Sequence, residues 1–276
     1  MIPKILHYIW FGGKPLTPLA EQCLASWKEH MPETANGGEW EYMRWDETNF
    51  EIASAPLYVR QAYEARKLAF VSDYVRLWAL EQYGGLYMDV DFEVYRPFDE
   101  LMDKYPAFAG YEGSKRQPVM QGVLASEPHG AWVRDMLSTY KTRSFIKPDG
   151  SLDLTPNTAY FTDRLETQGF VPDGAEKDFY VRSERINELE IKEKQIANVK
   201  SQISNLEEPM FILHVFPVHY FCPVLTTGED VRTPETYCEH KGESSWAQRT
   251  WKVRVMRMLS PKWKTRIIKL KRKIFG

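Results

Sequence analysis

Gly84-Gly85-Leu86-Tyr87-Met88-Asp89-Val90-Asp91 decides the fold. A helical pattern running from about Leu57 to Tyr83 meets the glycine pair, and glycine ends helices because it accepts the backbone conformations that close them. An apolar strand follows at once. Side chains alternate along a strand, so Leu86, Met88 and Val90 point one way and Tyr87, Asp89 and Asp91 the other. This pattern puts two carboxylates on one face at a strand's end. In open α/β sheets, ligands bind at the carboxyl ends of the strands.

Upstream, Ile5-Leu6-His7-Tyr8-Ile9-Trp10 reads as a buried first strand that ends in a turn at Phe11-Gly12-Gly13. Pro18 to Met31 reads as a helix, and Trp40 to Trp45 as a second strand. Downstream, Phe108-Ala109-Gly110-Tyr111 and Val119 to Ala125 read as strands. Trp132 to Tyr140 and Thr158 to Gln168 read as helices, and Met210 to Cys222 returns to β character. Short strands and helices in alternation point to an α/β sheet.

Two segments break this rhythm. Residues 184–208 are charged, lack Gly and Pro, and carry Leu189, Ile196, Val199, Ile203 and Leu206 at heptad-like spacing. A helical insertion fits, packed on its own domain or forming a homo-oligomer contact. Residues 251–276 read as a basic amphipathic helix: Trp263, Ile267, Leu270 and Ile274 share a face, with Lys262, Arg266, Lys269, Arg272 and Lys273 around it. The expected organisation is a catalytic domain over 1–250 with this helix at 251–276.

The formal net charge of -2 hides that asymmetry. Eleven Lys or Arg and no Asp or Glu fall between Ser244 and Gly276, which leaves 25 basic against 38 acidic residues elsewhere. A basic stripe beside Trp and Ile suits an anionic membrane surface better than nucleic acid, so no nucleic-acid partner is expected. Cys23, Cys222 and Cys238 are scattered and odd in number, which argues against a disulfide framework. No signal peptide and no spanning segment are evident. The expected place is the cytoplasm, peripheral on the inner face of the membrane.

Two carboxylates at a strand end suit Mg²⁺ or Mn²⁺, ions held by one or two protein carboxylates together with substrate phosphates. Asp73 and Arg76, three apart on a helix, share a face. Alone they read as a surface ion pair, yet a guanidinium also suits phosphate. His7, His214 and His219 lie in apolar, strand-like segments and read as satisfied core histidines. There is no Ser-His-Asp or Cys-His arrangement and no Gly-rich phosphate loop. A metal phosphohydrolase would want more His and Asp ligands than these.

Taken in order, Ile2-Pro3-Lys4-Ile5 with Ile9-Trp10-Phe11-Gly12-Gly13, then Ala69 to Arg76, then Gly84 to Asp91 resemble the family 32 glycosyltransferases. These DXD-containing enzymes include yeast mannosyltransferases and bacterial capsule enzymes, and are similar to the glucosylating domain of clostridial toxins. The resemblance covers about residues 2–100 and returns weakly at 216–223 and 236–246. It implies a GT-A type α/β fold, a UDP- or GDP-sugar donor, a divalent metal and retention of configuration. Trp10 would lie against the base, and Asp73, Arg76 and Asp89 would hold the donor and serve catalysis. Asp89, Asp91 and His240 would ligate the metal. Ser244, Ser245 and Trp246 would contact the diphosphate. Lys241 departs from the family's second His, and Gln121 stands where Asn is commoner. Thr155-Pro156-Asn157 only loosely matches an acceptor-side motif, so the acceptor class, a glycan or a lipid-linked glycan, rests on the basic tail. The alternatives are a toxin-like protein glycosyltransferase and a non-catalytic sugar-binding protein. Intact Asp73, Arg76, Asp89 and Asp91 argue against the latter.

Overall fold

Gly84 and Gly85 both adopt positive φ, +65° and +104°, which L side chains rarely take. A Cβ on Gly85 would stand 2.4 Å from the Ile5 carbonyl oxygen. The glycine pair therefore lets the chain leave helix α3 (Leu68–Tyr83) and enter strand β3 (Gly85–Met88) directly beside β1 (Ile5–Ile9). The computed structural model describes residues 1–113, 118–119, 121–179 and 213–242, all within one compact unit, Met1–Gly242. The segments 184–208 and 251–276 lie outside the described residues, as do Ser244, Ser245 and Trp246.

Seven strands form the main sheet, in the order β2-β1-β3-β6-β5-β8-β7. The others are β2 (Glu41–Trp45), β5 (Ala107–Gly110), β6 (Val123–Ser126), β7 (Lys177–Phe179) and β8 (Leu213–Phe216). β1 runs parallel to β2 and β3, and β5 to β8, whereas β6 is antiparallel to both β3 and β5. The expected mixed α/β sheet is what forms, with helices on both faces. One face packs Ile9, Tyr87 and Leu124 against α2 (Leu57–Glu64), α3, α5 (Ala131–Thr139) and α6 (Asn157–Thr167). The other packs Leu6, Leu86 and Met88 against Trp27 of α1 (Pro18–His30) and Leu101 of α4 (Asp99–Lys104). Burial of β3 on both sides explains its uninterrupted apolar run.

The sequence reading needs correction in four places. The long helix is two helices. α2 closes with Arg66 in the left-handed region, φ 55°. The Arg66 N–H donates to Tyr63 O and the Lys67 N–H to Ala62 O, both 2.9 Å. This is a Schellman closure in which arginine occupies the place glycine usually takes. Second, β3 stops at Met88, so Asp89 and Asp91 do not share a face of one strand. The Asp89 N–H still donates to Gly122 O, 2.8 Å. Its partner strand β6 runs Val123–Ser126, and the chain turns at Val90 and Asp91 into β4 (Phe92–Val94). β4 belongs to a separate two-stranded sheet with β9 (Cys238–His240). Third, the strand expected over Val119 to Ala125 is β6, and Val119 makes only an isolated bridge to Tyr111. Fourth, β8 gives way after Pro217 to a short helix, Val218–Phe221, so His219 sits half-buried on a helix and not in a strand.

The three cysteines are free and buried, and no helix among the described residues is long and apolar enough to cross a membrane. His7 and His214 are buried with partners, the latter between Asp178 Oδ1 at 2.6 Å and Glu176 Oε1 at 3.1 Å. The Trp45 indole donates to His7 Nδ1 at 3.1 Å, so Nε2 carries the proton and donates to Gly84 O at 2.7 Å. Burial lowers His7 from the ordinary 6.5 to about 4, against the pull of that carbonyl. The unfolded chain takes up a proton below about 6.5 that the native state refuses, so His7 costs stability as pH falls from 6.5 to 4. The loss amounts to roughly 3 kcal/mol across that window. Urea unfolding at stepped pH should show His7→Gln losing less stability than the parent over this range. Parallel curves would contradict the assignment.

Candidate active site

Arg76 lies one helical turn beyond Asp73 on α3, and its guanidinium is buried. Its Nη2 stands 3.0 Å from Asp73 Oδ1, and its Nη1 3.5 Å from Asp89 Oδ1. Nη1 also donates to the Gln121 carbonyl at 2.5 Å, and Nε to Ser72 O at 3.2 Å. The plane lies over the Tyr87 ring, 4.7 Å from its centroid. The Tyr87 hydroxyl donates to Asp89. One cation thus ties α3, the residue that follows β3 and the segment that leads into β6. The pair expected on the helix is present, but it is internal and not a surface pair.

The electrostatics follow from that burial. Asp73 is pushed up to about 6 by burial, against the pull of Arg76, with Asp89 pushing further and Arg143 opposing. For Arg76, burial works against the charge, and Asp89, Tyr87 and Asp73 outweigh it and raise the group further. Gly122 lets this corner close: a Cβ there would meet the Phe92 ring at 2.5 Å and Asp89 Oδ2 at 3.0 Å.

Asp91 lies across the turn, in the other sheet's territory. The Phe92↔His240 rung of the β4–β9 pair brings His240 Nε2 to 3.2 Å from Asp91 Oδ2. The His240 ring stacks on Phe92 with centroids 4.7 Å apart and planes 10° apart. Burial pulls His240 down, but the hydrogen bond and charge of Asp91, with Asp89 and Glu112 behind, leave it raised. Asp91 and His240 are therefore brought together, whereas Asp89 is engaged by Tyr87 and Arg76. Among the described residues no group of three or more His, Cys, Asp or Glu could hold a metal ion. A carboxylate and an imidazole nonetheless make a donor set for Mn²⁺ when diphosphate oxygens complete it.

Trp10 extends from the end of β1, where its N–H donates to Trp45 O at 2.9 Å and its indole to Lys14 O at 2.6 Å. It is half-buried, and β1 parallel to β3 places it at the same edge of the sheet as Asp89. Sequence reasoning missed the supporting polar chain. Asn157 Nδ2 donates to Gln121 Oε1 at 3.3 Å, and the Tyr140 hydroxyl to Asn157 Oδ1 at 3.4 Å. Arg143 lies over the rings of Tyr58, Tyr140 and Tyr160, at 4.3, 4.7 and 3.7 Å. Tyr87 was findable, since it sits two residues before Asp89 at the end of β3. Nothing in the local pattern marks Arg143.

Residues 18–108 match the glycosyltransferase sugar-binding region containing the DXD motif. A curated relative, glucan organizing enzyme 1 of Cryptococcus neoformans var. grubii, is 28% identical over 174 residues. That match takes in 51% of this chain and 45% of the relative, so the chain spans under half of the relative's length. Similar solved structures include the PaToxG glycosyltransferase, 17% identical with a TM-score of 0.42, over 61% of this chain and 70% of that one. Another is a glycosyltransferase involved in glycosylation of the major capsid of PBCV-1, 14% identical with a TM-score of 0.40, over 93% of this chain and 100% of that one.

Arg76→Met would strand Asp73 and Asp89 without their cation. Removing one partner of a buried ion pair costs roughly 3–5 kcal/mol, with the partly exposed Asp89 favouring the low end. Urea unfolding should show that loss, and Arg76→Met with Asp73→Asn should recover part of it. A loss within 0.5 kcal/mol of zero, as surface substitutions give, would show that the pair does not hold this corner.

Proposed function

We propose that this chain is a retaining glycosyltransferase. It moves a hexose from a UDP- or GDP-linked sugar to a hydroxyl of a glycan or lipid-linked glycan, with Mn²⁺ or Mg²⁺. The observation that carries the reading is the junction of two charge clusters at one turn: Arg76 with Asp73 and Asp89 on one side, Asp91 with His240 on the other. Sugar hydroxyls need paired acceptors and donors, which Asp73 and Arg76 supply. A diphosphate needs positive charge beside it, which Asp91 and His240 would supply by holding a divalent ion.

In this reading Trp10 stacks on the nucleotide base, and Asp73, Arg76 and Asp89 fix the donor sugar so that its anomeric carbon faces the acceptor. Ser244, Ser245 and Trp246 reach the diphosphate. The bound metal would neutralise charge developing on the diphosphate as the glycosidic bond breaks. The bond between the anomeric carbon and the diphosphate oxygen breaks while the acceptor oxygen bonds to the same face. The acceptor's proton passes to the departing diphosphate oxygen. The protein contributes mainly positioning and electrostatic stabilisation. The acceptor class is supported by the Lys- and Arg-rich stretch 251–276, suited to an anionic membrane surface. The charged stretch 184–208 is a candidate contact between copies.

The test is a hydrolysis and transfer screen of UDP- and GDP-sugars with Mn²⁺. One donor should turn over, and Asp91→Ala should lose that turnover roughly 100-fold or more. Turnover should also fall as pH drops through about 6, where Asp73 takes up its proton. Full turnover by Asp91→Ala, or by the parent in excess chelator, would refute the metal role. Sedimentation with anionic vesicles, with and without residues 261–276, should show binding only by the longer chain. Equal sedimentation would remove the membrane reading.

A further inference from the structure

Glu93 and Glu239 stand directly opposite each other on β4 and β9. Like charges facing across a strand pair are destabilising, and this rung adjoins the Phe92↔His240 rung that carries His240. One cation touches both carboxylates, and the Tyr95 hydroxyl lies between them as well. The Lys241 ammonium stands 2.6 Å from Glu93 Oε2, 2.9 Å from Glu239 Oε2 and 3.2 Å from the Tyr95 hydroxyl. An ammonium has three donors and no acceptor, so these three partners account for all of it. It offers no lone pair to a metal ion. Arg232 adds a second cation 3.1 Å from Glu239.

The backbone of the same residue reaches the motif. The Lys241 N–H donates to the Asp91 carbonyl at 2.8 Å, one step beyond the His240 rung. Strand β4 is fixed from its other side, where the Trp27 indole donates to Phe92 O at 2.7 Å and the Val94 N–H to Ser26 Oγ at 2.9 Å. β9 is tied to β4 by backbone bonds at both ends, from the Tyr95 N–H to Tyr237 O at 2.8 Å and from the Lys241 N–H to Asp91 O, so the charges between the strands act on the side chains beside His240 and not on the register. The Glu93 carboxyl is held below the usual range chiefly by the hydrogen bond from Lys241, against burial.

We propose that Lys241 is a positioning residue for the metal site: its ammonium bridges Glu93 and Glu239 and so holds His240 against Asp91. The inference rests on the reading of Asp91 and His240 as holders of a divalent ion. It gives the lysine a role that does not require it to replace a histidine ligand. Residues that orient metal ligands typically change affinity about 10–100-fold when removed.

The test is binding of Mn²⁺ alone to the full chain, followed by electron paramagnetic resonance of the free ion, with thermal melting as a fold check. Lys241→Met should weaken Mn²⁺ binding about tenfold or more. Lys241→Arg should keep it near the parent. Lys241→Met with Glu93→Gln, which removes the facing like charges, should recover most of the affinity. That pair also keeps the test valid should the single variant melt early. Parent-like binding by Lys241→Met, or a double variant as weak as the single one, would overturn the proposal. Asp91→Ala should lose Mn²⁺ in every background. If it binds as the parent does, the underlying metal reading fails, an outcome distinct from failure of the bridge alone.

Discussion

The structure around the site depends on one buried cation. Arg76 sits inside the protein and touches a helix carboxylate, a strand-end carboxylate and a backbone carbonyl from a third segment. A buried guanidinium is costly unless its donors are matched. Matching them here fixes α3 against the ends of β3 and β6. Tyr87 completes the arrangement by offering its ring face to the cation and its hydroxyl to Asp89. The corner is therefore held by matched charges and hydrogen bonds from three segments.

The second constraint is the change of sheet between Asp89 and Phe92. Asp89 remains tied to the main sheet through Gly122 O, and Phe92 already belongs to the β4–β9 pair. The two carboxylates of the motif thus answer to different parts of the fold. Asp89 is oriented by Arg76 and Tyr87, and Asp91 by a histidine 149 residues away in sequence. Under the proposed function, this division would let a sugar and a charged leaving group be held by separate scaffolds. The turn between Asp89 and Phe92 keeps the two carboxylates adjacent.

Much of this was legible in the sequence. The Gly84-Gly85 pair announced the helix-to-strand transition, and the three-residue spacing of Asp73 and Arg76 announced their pairing. Apolar patterning located β1, β2, α1, α5 and α6 closely. Other features escaped for physical reasons. The break between α2 and α3 uses a left-handed arginine, so no glycine marks it. Alternation in Tyr87-Met88-Asp89-Val90-Asp91 continued past the true strand end because periodicity carries no information on where a partner strand stops. Asp91 and His240 were joined only through the family resemblance, and the bridge by Lys241 arises from a long-range strand pairing that no local window contains. Gln121, Asn157 and Tyr140 come from three segments that only the folded chain assembles.

The central claim is that this turn is a joint site for a nucleoside diphosphate and a divalent ion. Calorimetric titration of UDP and of GDP into the full chain, with Mn²⁺ and with chelator, tests it most directly. One of the two nucleotides should bind clearly more tightly when Mn²⁺ is present. Equal affinity for both nucleotides with and without the metal would contradict the account.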